Sequence, residues 1–139
     1  MEDKRKDPTE RILFMEDEAF WADILISQFK KADSTIQITH AKNGEEGVAY
    51  IKKNLSSPKS EPPYNAIITD IDMPIMDGLK AVTIIRDLHY TAPIIIWSSL
   101  QNSEEDLTTS LELPVNGYCI KEIDLYNVIS ALRDLEIIE

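Results

Sequence analysis

The sequence predicts an α/β fold, a parallel sheet flanked by helices, on two observations: five short apolar runs recur along the chain, and stretches of helical period separate them. The runs are Ile12–Met15, Ile36–Ala41, Ala66–Thr69, Ile94–Trp97 and Tyr118–Ile120. Most are apolar throughout, as strands buried on both faces require. Ile36-Gln37-Ile38-Thr39 alternates instead, which is the pattern of a half-exposed strand at the outer edge of a sheet.

Between the first two runs, Trp21, Ile24, Leu25 and Gln28 have the i, i+3, i+4 spacing of one helix face, with the polar break at Gln28. Val48, Ile51 and Leu55 mark a second helix, and Ala81, Ile84, Ile85 and Leu88 a third. Leu125, Val128, Ile129 and Leu132 mark the last, with Asp124 as its expected N-cap. A fourth helix is expected over Ser103–Leu113, where Ser-Glu-Glu-Asp suits a capped N-terminus although the apolar stripe is thin. The stretch from Ser56 to Pro63, with three prolines, reads as a surface loop.

A chain of 139 residues suits one domain, and 43% hydrophobic with 28% charged residues suits a packed core. We find no internal repeat, so the expected organisation is an N-terminal tail over 1–10 and one domain over 11–139. Output then has to run through a partner, unless this chain is a piece of a longer protein. The net charge of −11 argues against a nucleic-acid surface. The only basic cluster, Lys4-Arg5-Lys6, reads as a solvated tail. No apolar run approaches the roughly 20 residues of a membrane helix, and the N-terminus has no signal-peptide core, so a cytoplasmic location without membrane contact is the default expectation. Cys119 is the single cysteine and reads as a small core residue.

Reactive residue types fall where the apolar runs end: Glu16 and Asp17 after the first, Asp70 after the third, Ser98 after the fourth and Lys121 after the fifth. In an open parallel sheet ligands bind at the carboxyl ends of the strands, so these five residues can converge. Three carboxylates in one crevice repel one another unless a hard cation sits among them, and magnesium, an oxygen-seeking ion that bridges to phosphoryl oxygens, is the natural candidate. An ammonium (Lys121) and a hydroxyl (Ser98) are the groups that would surround a phosphoryl on the third carboxylate.

The motifs Ile12-Leu13-Phe14-Met15-Glu16-Asp17-Glu18, Ile67-Ile68-Thr69-Asp70-Ile71-Asp72-Met73-Pro74, Met76-Asp77-Gly78, Pro93-Ile94-Ile95-Ile96-Trp97-Ser98-Ser99 and Gly117-Tyr118-Cys119-Ile120-Lys121 resemble those of response-regulator receiver domains, in order and spacing, over nearly the whole chain. The resemblance implies a flavodoxin-like, doubly wound five-stranded parallel sheet of strand order 2-1-3-4-5 with helices on both faces. It also implies a signalling switch and not an enzyme acting on an outside substrate. Asp70 would accept a phosphoryl group from a phosphohistidine of a sensor histidine kinase or a histidine phosphotransfer protein. Glu16, Asp17 and Asp70 would hold Mg2+ together with the backbone carbonyl of Asp72. Lys121 would pair with the phosphoryl, and the Ser98 hydroxyl would move toward it. Tyr118 would then turn inward, reshaping the face made by the fourth helix, the fifth strand and the last helix for a downstream protein target, with a phosphorylation-dependent homodimer left open.

Taken singly, these residues have plainer readings. Glu16-Asp17-Glu18 would be an acidic turn, Asp70 a helix cap, Lys121 a surface lysine and Tyr118 a core aromatic; the joint pattern argues against them. Pro74 and Asp77-Gly78 are read as structural, a turn and a cap, and His40 and His89 as not catalytic. The chain departs from the family's habit in having Glu122 where proline commonly follows the lysine. A non-proline cis bond costs about 3–4 kcal/mol, so a trans linkage that aims the lysine differently is expected. Trp97 is bulkier than the usual residue there, and Ser98 stands where many members have threonine. Asp72 and Leu100 are expected to influence phosphate lifetime, and Glu104-Glu105-Asp106 with the last helix to form the contact surface. Two alternatives remain: a pseudo-receiver that binds a partner without phosphorylation, and, remotely, a haloacid-dehalogenase-type phosphatase suggested by Asp70-Ile71-Asp72.

Overall fold

The computed structural model describes residues 10–57, 61–99, 112–122, 125–135 and 137–138. In chain order these form β1 (Arg11–Met15), α1 (Ala19–Ala32), β2 (Gln37–Ala41), α2 (Gly44–Ser56), β3 (Ala66–Thr69), α3 (Gly78–Asp87), β4 (Ile94–Ser98), β5 (Gly117–Ile120) and α4 (Tyr126–Asp134). All five strands are parallel, in the order β2-β1-β3-β4-β5. The alternating β/α pattern therefore translates into the parallel sheet expected of it, in the doubly wound order that the resemblance implies. The chain starts in β1, adds β2 on one side and then crosses to β3 on the other, so the strand order reverses between β1 and β3.

Strand alternation divides the core into two layers. Ile12, Phe14, Ile68, Ile95 and Trp97 face Ala22, Leu25 and Phe29 of α1 and Val128 and Leu132 of α4. Leu13, Met15, Ile67, Ile94 and Ile96 face Val48 and Ile51 of α2 and Ala81, Val82 and Ile85 of α3. The three inner strands need apolar side chains on both faces, and β3 and β4 are buried at every position. β2 lies at the edge with Gln37 exposed and Ile38, Thr39 and His40 half-buried, as its alternating sequence requires. Cys119 is a buried free thiol whose pKa burial pushes up, which leaves it an inert core residue.

The inward face of α2 carries Val48 and Ile51 as expected and differs only at its end. Leu55 is 44% exposed, whereas the polar Asn54 is buried. Asn54 is satisfied there: its Oδ1 accepts the Tyr90 hydroxyl at 2.8 Å and its Nδ2 donates to the Pro62 carbonyl at 3.0 Å. Tyr90 in turn accepts the Tyr64 N–H at 2.7 Å, and Arg11 donates to the same Pro62 carbonyl. The described part of the proline-rich loop is thus pinned to the amino ends of the strands, away from the site. Asp77 caps α3 by accepting the Lys80 N–H at 2.8 Å, as expected. Asp124, the N-cap expected for the last helix, and nearly all of the helix expected over Ser103–Leu113 lie outside the described residues.

Candidate functional site at the carboxyl ends of the strands

Strand register brings the reactive residues to one level. Met15 is paired with Thr69, and the N–H of Asp70 donates to the Met15 carbonyl at 3.1 Å, so the residues that leave β1 and β3 stay side by side. Ser98 ends β4 opposite Ile120, and the Lys121 N–H donates to the Ser98 carbonyl at 2.7 Å. Glu16 is fully buried and Asp70 is 4% exposed, while Asp17 and Glu18 face solvent.

The side chains meet at one ammonium. Lys121 Nζ lies 2.9 Å from Asp70 Oδ2 and 2.8 Å from Glu16 Oε1, and its side chain is only 3% exposed. The second oxygens are also held: Asp70 Oδ1 accepts the Ile71 N–H at 2.7 Å, and Glu16 Oε2 accepts the Glu18 N–H at 3.2 Å. The Glu16 carbonyl is bonded to His40 Nε2 at 2.7 Å, which ties the end of β1 to the edge strand. Ligand oxygens of Glu16, Asp17 and Glu18 lie within 4.8 Å of one another. A group of hard oxygen donors with two exposed members and a buried third fits a divalent cation such as magnesium, which keeps several of its waters.

Two buried carboxylates around one cation leave an excess negative charge. Burial, and then the charge of Asp70, push the Glu16 carboxyl up from its ordinary 4.5 to about 7, against the pull of Lys121. Burial likewise raises Asp70, opposed by Lys121 and the Ile71 N–H. For Lys121, burial lowers the pKa, but the bonds to both carboxylates outweigh it and the net shift is upward, so it remains an ammonium.

The consequence for stability has a definite sign. The folded state retains a proton on Glu16 that the unfolded chain has released above about 4.5, so the folded state binds more protons in that window. In a metal-chelated buffer, stability should be full below about pH 4.5 and decline as pH rises through about 7. Asp70 acts in the same direction. Denaturant midpoints measured across this window check it; a midpoint that rises with pH would contradict the arrangement.

The remaining expected site residues are placed as follows. Ser98 is buried at the end of β4. Tyr118 is half-buried in β5 on the layer facing α2 and α3. Asp72 is exposed between β3 and α3. Leu100 and Glu104-Glu105-Asp106 lie outside the described residues. Other residues in the neighbourhood were not anticipated: Glu18 in the carboxylate group, His40 on the Glu16 carbonyl, and Ile75, which is 76% exposed at φ 72° in a tight turn closed by the Met76 N–H on the Pro74 carbonyl. A β-branched residue at positive φ is strained, and it lies in the loop that follows Asp70.

Gly78 has a larger role than a turn. Its N–H donates to the Ile71 carbonyl at 2.8 Å, and a Cβ there would overlap the carbonyl oxygen of Asp70 and come within 3.0 Å of Thr69 Oγ1. The obstruction is backbone and cannot swing aside. Gly78→Ala should destabilise the fold by about 3 kcal/mol, the upper part of the overpacking range, as measured by urea unfolding. A cost under about 1 kcal/mol would mean that α3 approaches Asp70 less closely than described.

The response regulator receiver domain family matches residues 12–133 of this chain. The chain belongs to that family. Its receiver domain is 28% identical over 96 residues to the nitrate/nitrite response regulator protein NarL of Escherichia coli (strain K12), an alignment covering 69% of this chain and 40% of that protein. The chain thus spans well under two thirds of the length of that relative. Among solved structures, the CheX-CheY-BeF3-Mg+2 complex from Borrelia burgdorferi superimposes with a TM-score of 0.75 at 23% identity, covering 91% of this chain and 89% of that one. The response regulator protein TrrA from Thermotoga maritima, in complex with Mg(2+)-BeF, has a TM-score of 0.71 at 26% identity, covering 91% and 98%. The receiver domain therefore has the chemotaxis-regulator-like fold, and its place is in two-component signalling. Among the described residues, no helix is long and apolar enough to cross a membrane.

Proposed function

We propose that this receiver domain is a phosphorylation switch in which Asp70 takes a phosphoryl group from a phosphohistidine of a sensor histidine kinase or a histidine phosphotransfer protein. The observation that carries the reading is the buried ammonium of Lys121 bonded to both Glu16 and Asp70 at the carboxyl ends of the strands. Glu16, Asp17 and Asp70 would hold Mg2+ with the backbone carbonyl of Asp72, and the ion would neutralise the crowded carboxylates and offset charge on the phosphoryl oxygens. Glu16 and Asp17 lie, with Glu18, in a group of hard oxygen donors of the kind such an ion takes, and the solved TrrA relative is a complex with Mg(2+)-BeF.

A carboxylate oxygen of Asp70 attacks phosphorus, the P–N bond to the donor imidazole breaks, and the imidazole departs with the electron pair, leaving an acyl phosphate. Lys121 exchanges one carboxylate contact for the new phosphoryl oxygens, which need a cation more than Asp70 then does. The Ser98 hydroxyl, one strand from Lys121, supplies a hydrogen bond. Tyr118 turns inward as it does so, and the face of the Ser103–Leu113 segment, β5 and the last helix changes for a downstream protein target. Residues 11–139 make up this switch, with 1–10 as its tail. The pseudo-receiver alternative rests on Glu122 in place of proline, yet Lys121 reaches Asp70 despite it.

The test is intact-mass detection of a phosphoryl group after incubation with acetyl phosphate and magnesium. One phosphoryl per chain is expected. If none is taken up and beryllofluoride with magnesium also leaves tryptophan fluorescence unchanged, the chain acts as an interaction module without phosphorylation.

A further inference from the structure

We propose that Trp21 and Trp97 are positioning residues for Lys121, holding its ammonium over two indole faces so that it stays aimed at Asp70. The inference rests on the reading of Lys121 as the phosphoryl's partner, but its geometry stands apart from that reading. Lys121 Nζ lies 5.4 Å from the ring centroid of Trp21 and 5.5 Å from that of Trp97, both within the range at which a cation is attracted to a ring face. The two indoles meet edge to face, with centroids 5.6 Å apart and planes at 89°, so the ammonium occupies the corner between them while it donates to Asp70 and pairs with the charge of Glu16.

Three further observations argue that the rings are there for their faces and not only as core volume. Trp97 is fully buried, and its Nε1 has no hydrogen-bond partner among the described residues. Burying an unpaired N–H is costly, and a leucine or phenylalanine would fill the layer without that cost. The rings are also braced from both sides. Phe20 packs edge-on against Trp21 at 5.2 Å, and Phe14 packs against Trp97 at 5.8 Å, with His40 stacked beyond it at 5.6 Å. An aromatic row thus runs beneath the carboxylates from α1 to β2, and its far member holds the Glu16 carbonyl. Finally, the residue after Lys121 is the exposed Glu122, which gives the backbone no ring to stiffen it, so the side chain is constrained from outside its own loop. Two indole faces do that without competing for the ammonium's protons, which leaves all of its N–H groups for carboxylate or phosphoryl oxygens.

The experiment is lysine Hε/Cε NMR on the full chain in metal-free buffer, with Lys121→Arg identifying the Lys121 signal. Ring currents from two indoles should place the Lys121 methylene protons upfield of the other lysines. Trp21→Leu keeps an apolar residue on α1 but removes one of the two rings; it should move the signal part of the way back toward the envelope, the Trp97 ring remaining, whereas Trp21→Phe should retain more of the displacement. In the same variants, the rate of phosphoryl uptake from acetyl phosphate should fall about fivefold for Trp21→Leu and be largely recovered by Trp21→Phe. A Lys121 signal inside the envelope in the native chain, or one that Trp21→Leu leaves in place, overturns the proposal. If Trp21→Leu does not fold, the native chain and Trp21→Phe decide it, since the smaller ring must move the signal part-way. Failure of the native chain to take up phosphate would sink the phosphorylation reading while leaving the NMR outcome to decide the lysine's restraint.

Discussion

Replacing Asp70 with asparagine should abolish phosphoryl uptake from acetyl phosphate and leave the fold in place. The two halves of this expectation have different causes. An amide nitrogen cannot attack phosphorus as a carboxylate does, and among the described residues no other buried carboxylate is aimed at the same point: Glu16 lies across the ammonium with its second oxygen on the Glu18 N–H. The loss should therefore be complete, with no residual single addition in the intact mass. Stability should change by no more than about 1 kcal/mol. The amide oxygen can keep the Ile71 N–H, which Asp70 Oδ1 now accepts at 2.7 Å. What is lost is the bond to Lys121, and what is gained is relief of the repulsion that raises Glu16. In the variant, one buried carboxylate faces one buried ammonium, a balanced pair, so the decline of stability with rising pH should also be shallower than in the native chain. Persistent uptake by the variant would place the acceptor elsewhere; loss of uptake together with loss of cooperative unfolding would show only that the substitution had broken the fold.

Much of this site was legible in the sequence because strand ends are legible. An apolar run that stops at Glu16 or Asp70 puts those residues at the carboxyl edge of a parallel sheet, and parallel pairing does the rest. Lys121 followed by the same logic, although its full burial and its double contact depend on the register of β4 with β5. The aromatic row was not legible. Trp21 sits on the apolar stripe of α1 and Trp97 in an apolar strand, so each reads as core volume; their common contact with Lys121 exists only once α1 brings Trp21 against Trp97. His40 was hidden for a related reason, because an edge-strand histidine gains its meaning from the Glu16 carbonyl on the neighbouring strand. In α2 the stripe holds at Val48 and Ile51 and departs only at its last position. Asn54 takes the buried position and Leu55 the exposed one, since a polar side chain with partners on Tyr90 and Pro62 can outcompete an apolar one for a place in the core. Gly78 was read as a cap's neighbour because sequence shows the turn and not the carbonyl pressed against it.

Lys121→Met should lower stability by about 3–5 kcal/mol in metal-chelated buffer above about pH 7, the usual cost of removing one partner from a buried ion pair. Methionine has nearly the length of lysine and can fill the corner between the two indoles, so packing is largely conserved and the loss reports the charge. Without the ammonium, Glu16 and Asp70 are two like charges in a buried site, each already raised by burial with the lysine present. They can answer only by keeping protons, which costs more as the solution becomes more alkaline. The deficit should therefore shrink toward about pH 4.5, where the unfolded chain also holds its Glu16 proton, and grow steadily above it. Magnesium should restore part of the lost stability by supplying the missing positive charge, which separates an electrostatic deficit from a packing one. Adding Glu16→Gln to Lys121→Met should do the same without metal, because one buried charge is then gone. If the single variant loses less than about 1 kcal/mol and shows no steeper pH dependence than the native chain, the ammonium does not hold these carboxylates together. A pH-independent loss that neither magnesium nor Glu16→Gln relieves would instead assign Lys121 a packing role between Trp21 and Trp97.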